Sequence, residues 1–281
     1  MKKVGVIGFG RIGRIISKIL LSYGSIREIK INSLDYDYAY LEELEHINSN
    51  KTRITPVKKL MNIIDSDLLV VCAGQDHAKL LKGRDIEDEW AIELNNNLRI
   101  IADIAGGIKN IKNKTILVYT NPIDITSLYF HDHLDKSNGI YGFGANLDTL
   151  RLNNLVGKKG YIIGEHGKTI VPVGISDQKE KLLKTRKIIL DSVRKITKAR
   201  GFTSVSVEHA SRILFDAIFL NKDLTVPLSC FHEKQNIFIG SLCRVMGFKI
   251  TQKKLRLNKA EKQMFEESVG KIKALVKTTR L

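Results

Sequence analysis

The 281-residue sequence lacks any apolar run of the about 18–20 residues that a membrane-spanning helix requires. Its 43% of hydrophobic and 27% of charged residues suit a folded chain with a buried core and exclude a disordered one. A signal peptide is not expected at the N-terminus, because Arg11, Arg14 and Lys18 interrupt the apolar stretch there. We therefore expect a cytoplasmic protein with no membrane partner.

Cysteine is scarce, and the three that are present form no CxxC pair. We interpret Cys72, Cys230 and Cys243 as reduced thiols in the core. His131-Asp132-His133 has the spacing of a metal-binding string, but the residues around it are typical of a solvated helix end. No metal site is predicted.

The sequence also lacks a cluster that concentrates its positive charge, although the formal net charge is +16. Lysines are spread along the whole chain, which indicates a solvated basic surface. Such a surface favours anions, including phosphate-bearing cofactors and carboxylate substrates. No nucleic-acid recognition motif accompanies the charge, so no nucleic-acid partner is expected.

No repeat or low-complexity linker interrupts the chain, and its first half alternates short apolar runs with amphipathic stretches. This alternation predicts βαβ units and a parallel sheet. Gly24 is expected to end the first helix. The predicted strands are 3–7, 28–32, 67–72, 115–119 and 140–143, and the predicted helices are 11–23, 38–47 and 85–108.

The second half has a different pattern, which places a domain boundary near Gly144. The sequence thus predicts an α/β protein with a doubly wound parallel sheet over residues 1–144 and a mixed α+β domain over residues 145–281. In that second domain we expect strands at 161–163 and 169–173, helices at 180–198, 204–220 and 259–277, and β-rich runs at 224–229 and 238–246.

The string Gly8-Phe9-Gly10-Arg11-Ile12-Gly13 follows a predicted strand and opens a predicted helix, which is the context of a dinucleotide-binding fingerprint. Gly8 permits a tight turn, Gly10 lets a pyrophosphate approach the backbone, and Gly13 lets the helix pack closely on the strand. The N–H groups and the dipole at the start of the helix attract phosphates. The string therefore predicts a dinucleotide cofactor.

The acidic residue that would bind the cofactor's ribose should lie about 20 residues after this string. Counting from Gly13 arrives at Ser33, and Asp35 follows two residues later. Asp35 in that role favours NAD. If Ser33 takes the position, with Lys30 or Arg27 close to a 2′-phosphate, NADP becomes possible. We predict NAD.

Three further segments carry polar groups suited to proton transfer and substrate binding. In Gly164-Glu165-His166-Gly167 the histidine lies between glycines at a strand end, and its ordinary pKa suits acid–base work near neutral pH. Asp148 and Arg151 share one face of a helix, although a surface ion pair is the commoner explanation of an Asp and an Arg at this spacing. Asn121 ends a strand within Thr120-Asn121-Pro122, where a simple β-turn is the alternative interpretation.

In order, spacing and context these segments resemble the lactate/malate dehydrogenase family, and the likeness covers nearly the whole chain. It implies a Rossmann domain, a catalytic domain, and hydride transfer between NAD(P) and a small 2-hydroxy or 2-oxo acid. The matching segments are residues 6–13, Val70-Val71-Cys72-Ala73-Gly74, Thr120-Asn121-Pro122, Leu147-Asp148-Thr149-Leu150-Arg151, Ile162-Ile163-Gly164-Glu165-His166-Gly167, Gly201-Phe202-Thr203 and the last helix.

The resemblance implies a role for each matching residue. His166 exchanges a proton with the substrate oxygen, Asp148 holds the imidazole, and Arg151 binds the substrate carboxylate through two parallel hydrogen bonds. Asn121 positions the carbonyl and the nicotinamide. The implied cofactor contacts are Gly8, Phe9, Gly10, Arg11, Ile12, Gly13, Asp35, Ala73, Gly74 and Asn121.

The segment after Gly74 departs from the family pattern. His77 stands where malate enzymes have Arg and lactate enzymes often have Gln. The candidate for the family's arginine that polarises the substrate carbonyl is Arg84, and Lys82 is the alternative. We expect His77 and Arg84 to contact substrate, with malate/oxaloacetate slightly favoured over lactate/pyruvate. The implied assembly is a homodimer or homotetramer. A non-catalytic NAD(P)-binding regulatory protein derived from this fold is the alternative function.

Overall fold

The computed structural model describes residues 1–75, 86–157 and 159–279. The strands are β1 (Lys2–Ile7), β2 (Ile26–Asn32), β3 (Arg53–Pro56), β4 (Leu68–Val71), β5 (Thr115–Val118), β6 (Gly139–Gly142), β7 (Tyr161–Ile163), β8 (Val171–Val173), β9 (Leu224–His232), β10 (Ile237–Met246) and β11 (Lys249–Gln252). The helices are α1 (Arg11–Leu20), α2 (Tyr38–His46), α3 (Ile86–Gly107), α4 (Ile123–His133), α5 (Ala145–Val156), α6 (Lys179–Arg200), α7 (Ser204–Phe219) and α8 (Lys259–Thr279), and a short 3-10 helix spans Leu60–Asn62.

Within the described residues, nine strands form one sheet in the order β11-β10-β9-β6-β5-β4-β1-β2-β3. The six strands from β6 to β3 run parallel to one another. Every residue of β4 is buried, as expected of a parallel strand that is covered on both faces. The predicted doubly wound parallel sheet is confirmed.

Helices cover both faces of this sheet. Val6 and Ile7 are neighbours in β1 and so point to opposite faces. Val6 lies in a core cluster with residues of α1 and α7, and Ile7 lies in a second cluster with residues of α3 and α4. In folds of this kind ligands bind at the carboxyl ends of the strands, between these layers. In the part of the chain that the structure describes, no helix is long and apolar enough to cross a membrane.

The second half of the chain extends the sheet. β9 joins β6 in antiparallel orientation through Gly142 and Ser229, and β10 and β11 continue antiparallel. β7 and β8 form a separate two-stranded sheet, and Gly164 after β7 pairs with Gly240 in β10. The sheet therefore continues across the predicted boundary at Gly144, because β6 precedes that boundary and β9 follows it. The division into two domains stays a prediction.

Several predicted bounds need correction. The first helix ends at Leu20 rather than at residue 23, because Tyr23 turns inward to donate a hydrogen bond to Asp216 at 2.8 Å. Gly24 is therefore not its cap. Four described elements were not predicted: β3 and β11, which are only four residues each, the 3-10 helix at Leu60–Asn62, and α4 apart from its last turn.

Candidate active site

The β1–α1 turn is packed directly against the end of β4. Gly8 has a φ of +94°, and a Cβ on it would lie 2.4 Å from the backbone nitrogen of Ala73. A Cβ on Gly13 would lie 1.9 Å from the carbonyl oxygen of Gly8. Glycine is thus required at both positions, for the turn and for close packing of helix on strand.

The described part of the chain does not constrain Gly10. A Cβ there would meet no heavy atom of the described chain within 4 Å, and its φ of −74° suits any residue. Gly10 is the N-cap of α1, and it supplies no side-chain cap to the helix. The first turn of α1 therefore offers N–H groups beside open space, which fits a phosphate-bearing ligand.

A cleft of about 410 Å³ lies at the carboxyl end of β2. Its lining is Ser33, Leu34, Asp35, Tyr36, Tyr38 and Lys58. Ser33 faces the glycine turn, because its Oγ accepts a hydrogen bond from the backbone of Phe9 at 3.4 Å, whereas Asp35 lines the exposed cleft. Lys30 binds Asp65 at 2.7 Å rather than a ligand position. The apolar and polar lining fits the adenosine part of a dinucleotide, with Asp35 able to accept from ribose hydroxyls.

The ends of β4 and β5 are tied together by polar contacts. Thr120 donates to the carbonyl of Ala73 at 2.6 Å, and Asn97 of α3 donates to the carbonyl of Asn121 at 2.7 Å. Asn97 also accepts from the backbone of Gln75 at 2.8 Å. Asn97 was not predicted, although a polar residue on the buried face of a long helix was a usable signal.

The side chain of Asn121 ends in an unusual environment. Its Oδ1 is buried and finds no hydrogen-bond partner among the residues that the structure describes. A buried, unsatisfied amide oxygen is costly unless a ligand or water supplies a donor. This observation fits a role for Asn121 toward a bound ligand.

His166, Asp148 and Arg151 come together in one buried array. Nδ1 of His166 lies 2.6 Å from Oδ2 of Asp148, and Nη1 of Arg151 donates to Oδ1 of Asp148 at 2.7 Å. The three side chains are 18%, 5% and 11% exposed, respectively. The alternative of a solvated surface ion pair therefore does not describe Asp148 and Arg151.

Local sequence explains how this array is assembled. α5 begins directly after Gly144, so Asp148 and Arg151 lie one turn apart on its inner face. A Cβ on Gly144 would lie 2.5 Å from Cγ of His166, so only glycine lets the imidazole pack against the start of α5. Gly164, with a φ of +87°, turns the chain out of β7 toward His166.

The charges in the array favour a protonated imidazole. Burial lowers the pKa of His166, but the charge of Asp148 and the hydrogen bond to it outweigh burial and leave that pKa above its ordinary value. Burial raises the pKa of Asp148, but His166 and Arg151 together leave it below its ordinary value. The imidazole thus keeps its proton to a higher pH than an ordinary histidine does.

A second carboxylate, which was not predicted as a site residue, supports His166 from behind. Oδ2 of Asp124 accepts from the backbone nitrogen of His166 at 2.9 Å, and Oδ1 accepts from Ser229 at 2.5 Å. Burial raises the pKa of Asp124 to about 6. Asp124 follows Asn121-Pro122 in the sequence, but nothing local indicated its contact with a residue 42 positions away.

The segment 201–203 contacts both Arg151 of the buried array and Arg11 of the glycine turn. Thr203 accepts a long contact of 3.4 Å from Nη2 of Arg151. The guanidinium of Arg11, in the glycine turn, lies 4.5 Å from the ring centre of Phe202. The segment therefore joins the predicted cofactor loop to the predicted substrate arginine.

The other candidates of the sequence analysis lie elsewhere in the fold or outside the described residues. His77, Lys82 and Arg84 lie outside the described residues. His131 and His133 stack on Phe231 and Tyr129, and no three His, Cys, Asp or Glu side chains in the described ranges are placed to hold a metal ion. The cysteines are free thiols: Cys230 and Cys243 are buried and Cys72 is partly buried.

Comparison with known proteins points to one family. Residues 2–139 match the family model described as lactate/malate dehydrogenase, NAD binding domain. The chain is 26% identical to L-lactate dehydrogenase 2 of Clostridium acetobutylicum, covering 98% of this chain and 96% of that protein. It is 24% identical to the L-lactate dehydrogenase C chain of Rattus norvegicus, covering 95% of this chain and 90% of that protein.

Solved structures show the same fold. A lactate dehydrogenase, MGS-M5, from a Medee basin deep-sea metagenome library superposes with a TM-score of 0.83 at 20% identity, covering 100% of this chain and 99% of that one. Malate dehydrogenase from Archaeoglobus fulgidus, solved in complex with NADH, gives the same TM-score and identity over 99% of this chain and 100% of that one.

Proposed function

We propose that this chain, which belongs to the lactate/malate dehydrogenase family, transfers a hydride between NAD and a small 2-hydroxy acid, with His166 as the acid–base residue. The observation that carries the proposal is the buried His166–Asp148–Arg151 array. A protein that only binds cofactor has no need of a proton donor and a carboxylate-binding arginine on one shared aspartate.

Bound NAD supplies or accepts the hydride. In the reducing direction, His166 donates a proton from Nε2 to the 2-oxo oxygen, because Nδ1 is held by Asp148. In the oxidising direction, the same nitrogen takes the proton of the hydroxyl group. Asp148 fixes the orientation of the ring and stabilises its cationic form in both directions.

Arg151 is suited to bind the substrate carboxylate. Its guanidinium carries five N–H groups, of which one on Nη1 is engaged by Asp148 and one on Nη2 makes only the long contact with Thr203. The remaining N–H groups can bind a carboxylate in parallel, a geometry that lysine does not offer. The shared Asp148 places that carboxylate beside His166.

The preferred substrate pair in this proposal is malate and oxaloacetate. A net charge of +16 attracts a dianion more strongly than a monoanion such as pyruvate. His77 and Arg84 would complete the substrate site, and Asp35 would bind the ribose of NAD, with NADP as the second cofactor to test. A cytoplasmic location and a homodimeric or homotetrameric assembly complete the proposal.

The test is an absorbance assay for oxidation of NADH and of NADPH with oxaloacetate, pyruvate and other 2-oxo acids. We expect oxidation that needs one 2-oxo acid and that falls by about 10²–10⁴-fold in His166→Asn. His209→Asn, at an exposed position of α7, is the matched control and should keep wild-type activity. Tight NADH binding without turnover of any 2-oxo acid would overturn the proposed dehydrogenase activity and favour the non-catalytic regulatory alternative.

A further inference from the structure

Asp124 is a buried carboxylate that links three parts of the fold. It lies in the first turn of α4 and is 4% exposed. One oxygen accepts from the backbone of His166, in the turn after β7, and the other accepts from the hydroxyl of Ser229 in β9. Each oxygen therefore has one donor, and the donors come from segments far apart in sequence.

No Lys or Arg within the described ranges forms an ion pair with Asp124; the groups that face it are neutral or acidic, apart from His166. They are the carboxylate of Glu165, the imidazole of His166, the hydroxyl of Ser229 and the thiol of Cys230. Because the imidazole of His166 is the one cation-forming group among them, burying this carboxylate is costly, and a neutral residue would fill this space at a lower cost. Asp124 differs from a neutral residue in this space by its charge beside His166, to whose backbone nitrogen it is hydrogen-bonded.

The contact with His166 acts on the main chain, whereas Asp148 acts on the ring. A shift of the turn that contains His166 would carry the imidazole away from Asp148 and from the substrate. Ser229 in turn restrains Asp124, because it is paired with Gly142 and a Cβ on that glycine would lie 2.7 Å from its own Cβ. The aspartate of α4 is therefore anchored to β9 of the sheet through Ser229.

We propose that Asp124 is a positioning residue for His166: it fixes the turn so that the imidazole meets Asp148, and its charge favours the imidazolium. This rests on the proposed function only in taking His166 as the acid–base residue. Ser229 orients Asp124 and shares the role.

The kinetic test compares Asp124→Ala, Asp124→Asn and Ser229→Ala. We expect Asp124→Ala to lower kcat about tenfold to a hundredfold, because small misplacements of an acid–base group have effects of this size, while the Kd for NADH stays within twofold. Asp124→Asn keeps an oxygen for the His166 N–H and should recover most of kcat at low pH. Since it removes a negative charge near the imidazole, its rate of 2-oxo acid reduction should decline at a lower pH than that of wild type.

Two matched controls separate this role from a general effect on folding. Asp216→Asn changes a carboxylate that accepts from Tyr23 and Lys222, and Ser241→Ala removes a buried hydroxyl of β10 that bonds only a backbone carbonyl. Neither variant should shift the pH profile, and neither should change kcat by more than twofold.

A second measurement does not depend on turnover. Nuclear magnetic resonance of isotope-labelled histidine rings follows the protonation of His166, whose signal is identified by its loss in His166→Asn. We expect the titration of His166 to move to lower pH in Asp124→Asn and not in the controls. This outcome stands even if wild type reduces no 2-oxo acid, so the two proposals can fail separately. An unchanged titration of His166 in Asp124→Asn would by itself overturn the proposal, and so would a wild-type kcat in Asp124→Ala.

Discussion

Asp148 connects the two functions of the proposed site. One of its oxygens holds the imidazole of His166 and the other holds the guanidinium of Arg151, and its side chain is almost fully buried. Because both contacts are charge-assisted and shielded from water, each is stronger than the same contact at a surface. In the proposed mechanism, proton transfer and carboxylate binding therefore both depend on Asp148.

The pH dependence of catalysis should reveal this connection. The pKa of His166 is raised in the folded protein, so the imidazolium persists to higher pH than an ordinary histidine would. In Asp148→Asn the loss of charge lowers that pKa, and we expect 2-oxo acid reduction to decline at lower pH and kcat/KM to fall about 10²–10⁴-fold. The check is a profile of kcat/KM against pH for wild type, Asp148→Asn and Asp216→Asn; coincident profiles for the first two would contradict the assignment.

At the scale of elements, the glycines of the β1–α1 turn differ in why glycine is needed. Gly8 and Gly13 have no room for a side chain because the protein itself fills the space. Gly10 has room and an ordinary backbone conformation, so the described structure gives no internal reason for glycine there. The reason is expected to be the cofactor, since a methyl group would stand where a pyrophosphate approaches the backbone.

Two alanine substitutions should separate these effects. We expect Gly10→Ala to leave the free energy of unfolding nearly unchanged while weakening NADH binding at least about tenfold, or 1.4 kcal/mol. Gly13→Ala should destabilise the fold by about 1–3 kcal/mol through overpacking. The measurements are NADH fluorescence titration and denaturant unfolding.

A helix glycine serves as the control for these two variants. Gly270→Ala, at an exposed site within α8 where a Cβ meets nothing described within 4 Å, should stabilise the fold by about 0.5–1 kcal/mol without affecting binding. If Gly10→Ala bound NADH like Gly270→Ala, the cofactor would not lie over this turn.

At the scale of the whole molecule, the net charge of +16 gives the protein a positive long-range field. Salt screens such a field, with a Debye length of about 10 Å at 0.1 M. We expect kcat/KM to fall as salt increases to about 0.5 M, and to fall more steeply for dianionic oxaloacetate than for monoanionic pyruvate. Equal slopes for the two acids would mean that the field does not act on substrate.

The sequence determined the features that depend on neighbours within a few turns or strands. Apolar alternation gave the parallel strands, the glycine string marked the β1–α1 turn, and the spacing of three residues put Asp148 and Arg151 on one helix face. These follow from rules that act locally, namely the periods of helix and strand and the conformational freedom of glycine. Most of α4 was missed because it is buried nearly all round and shows no amphipathic period.

Only the tertiary structure decided which distant residues meet. Asp124 and Ser229 are 105 positions apart, and their contact exists because β9 pairs with β6 at Gly142. Asn97 reaches Asn121 because α3 packs beside the ends of β4 and β5. No local rule encodes the order in which strands assemble, since that order is set by the total burial and hydrogen bonding of the sheet. The sequence therefore indicated His166 and Asp148 as candidates for the acid–base site, and the fold supplied Asp124 and Ser229 behind them.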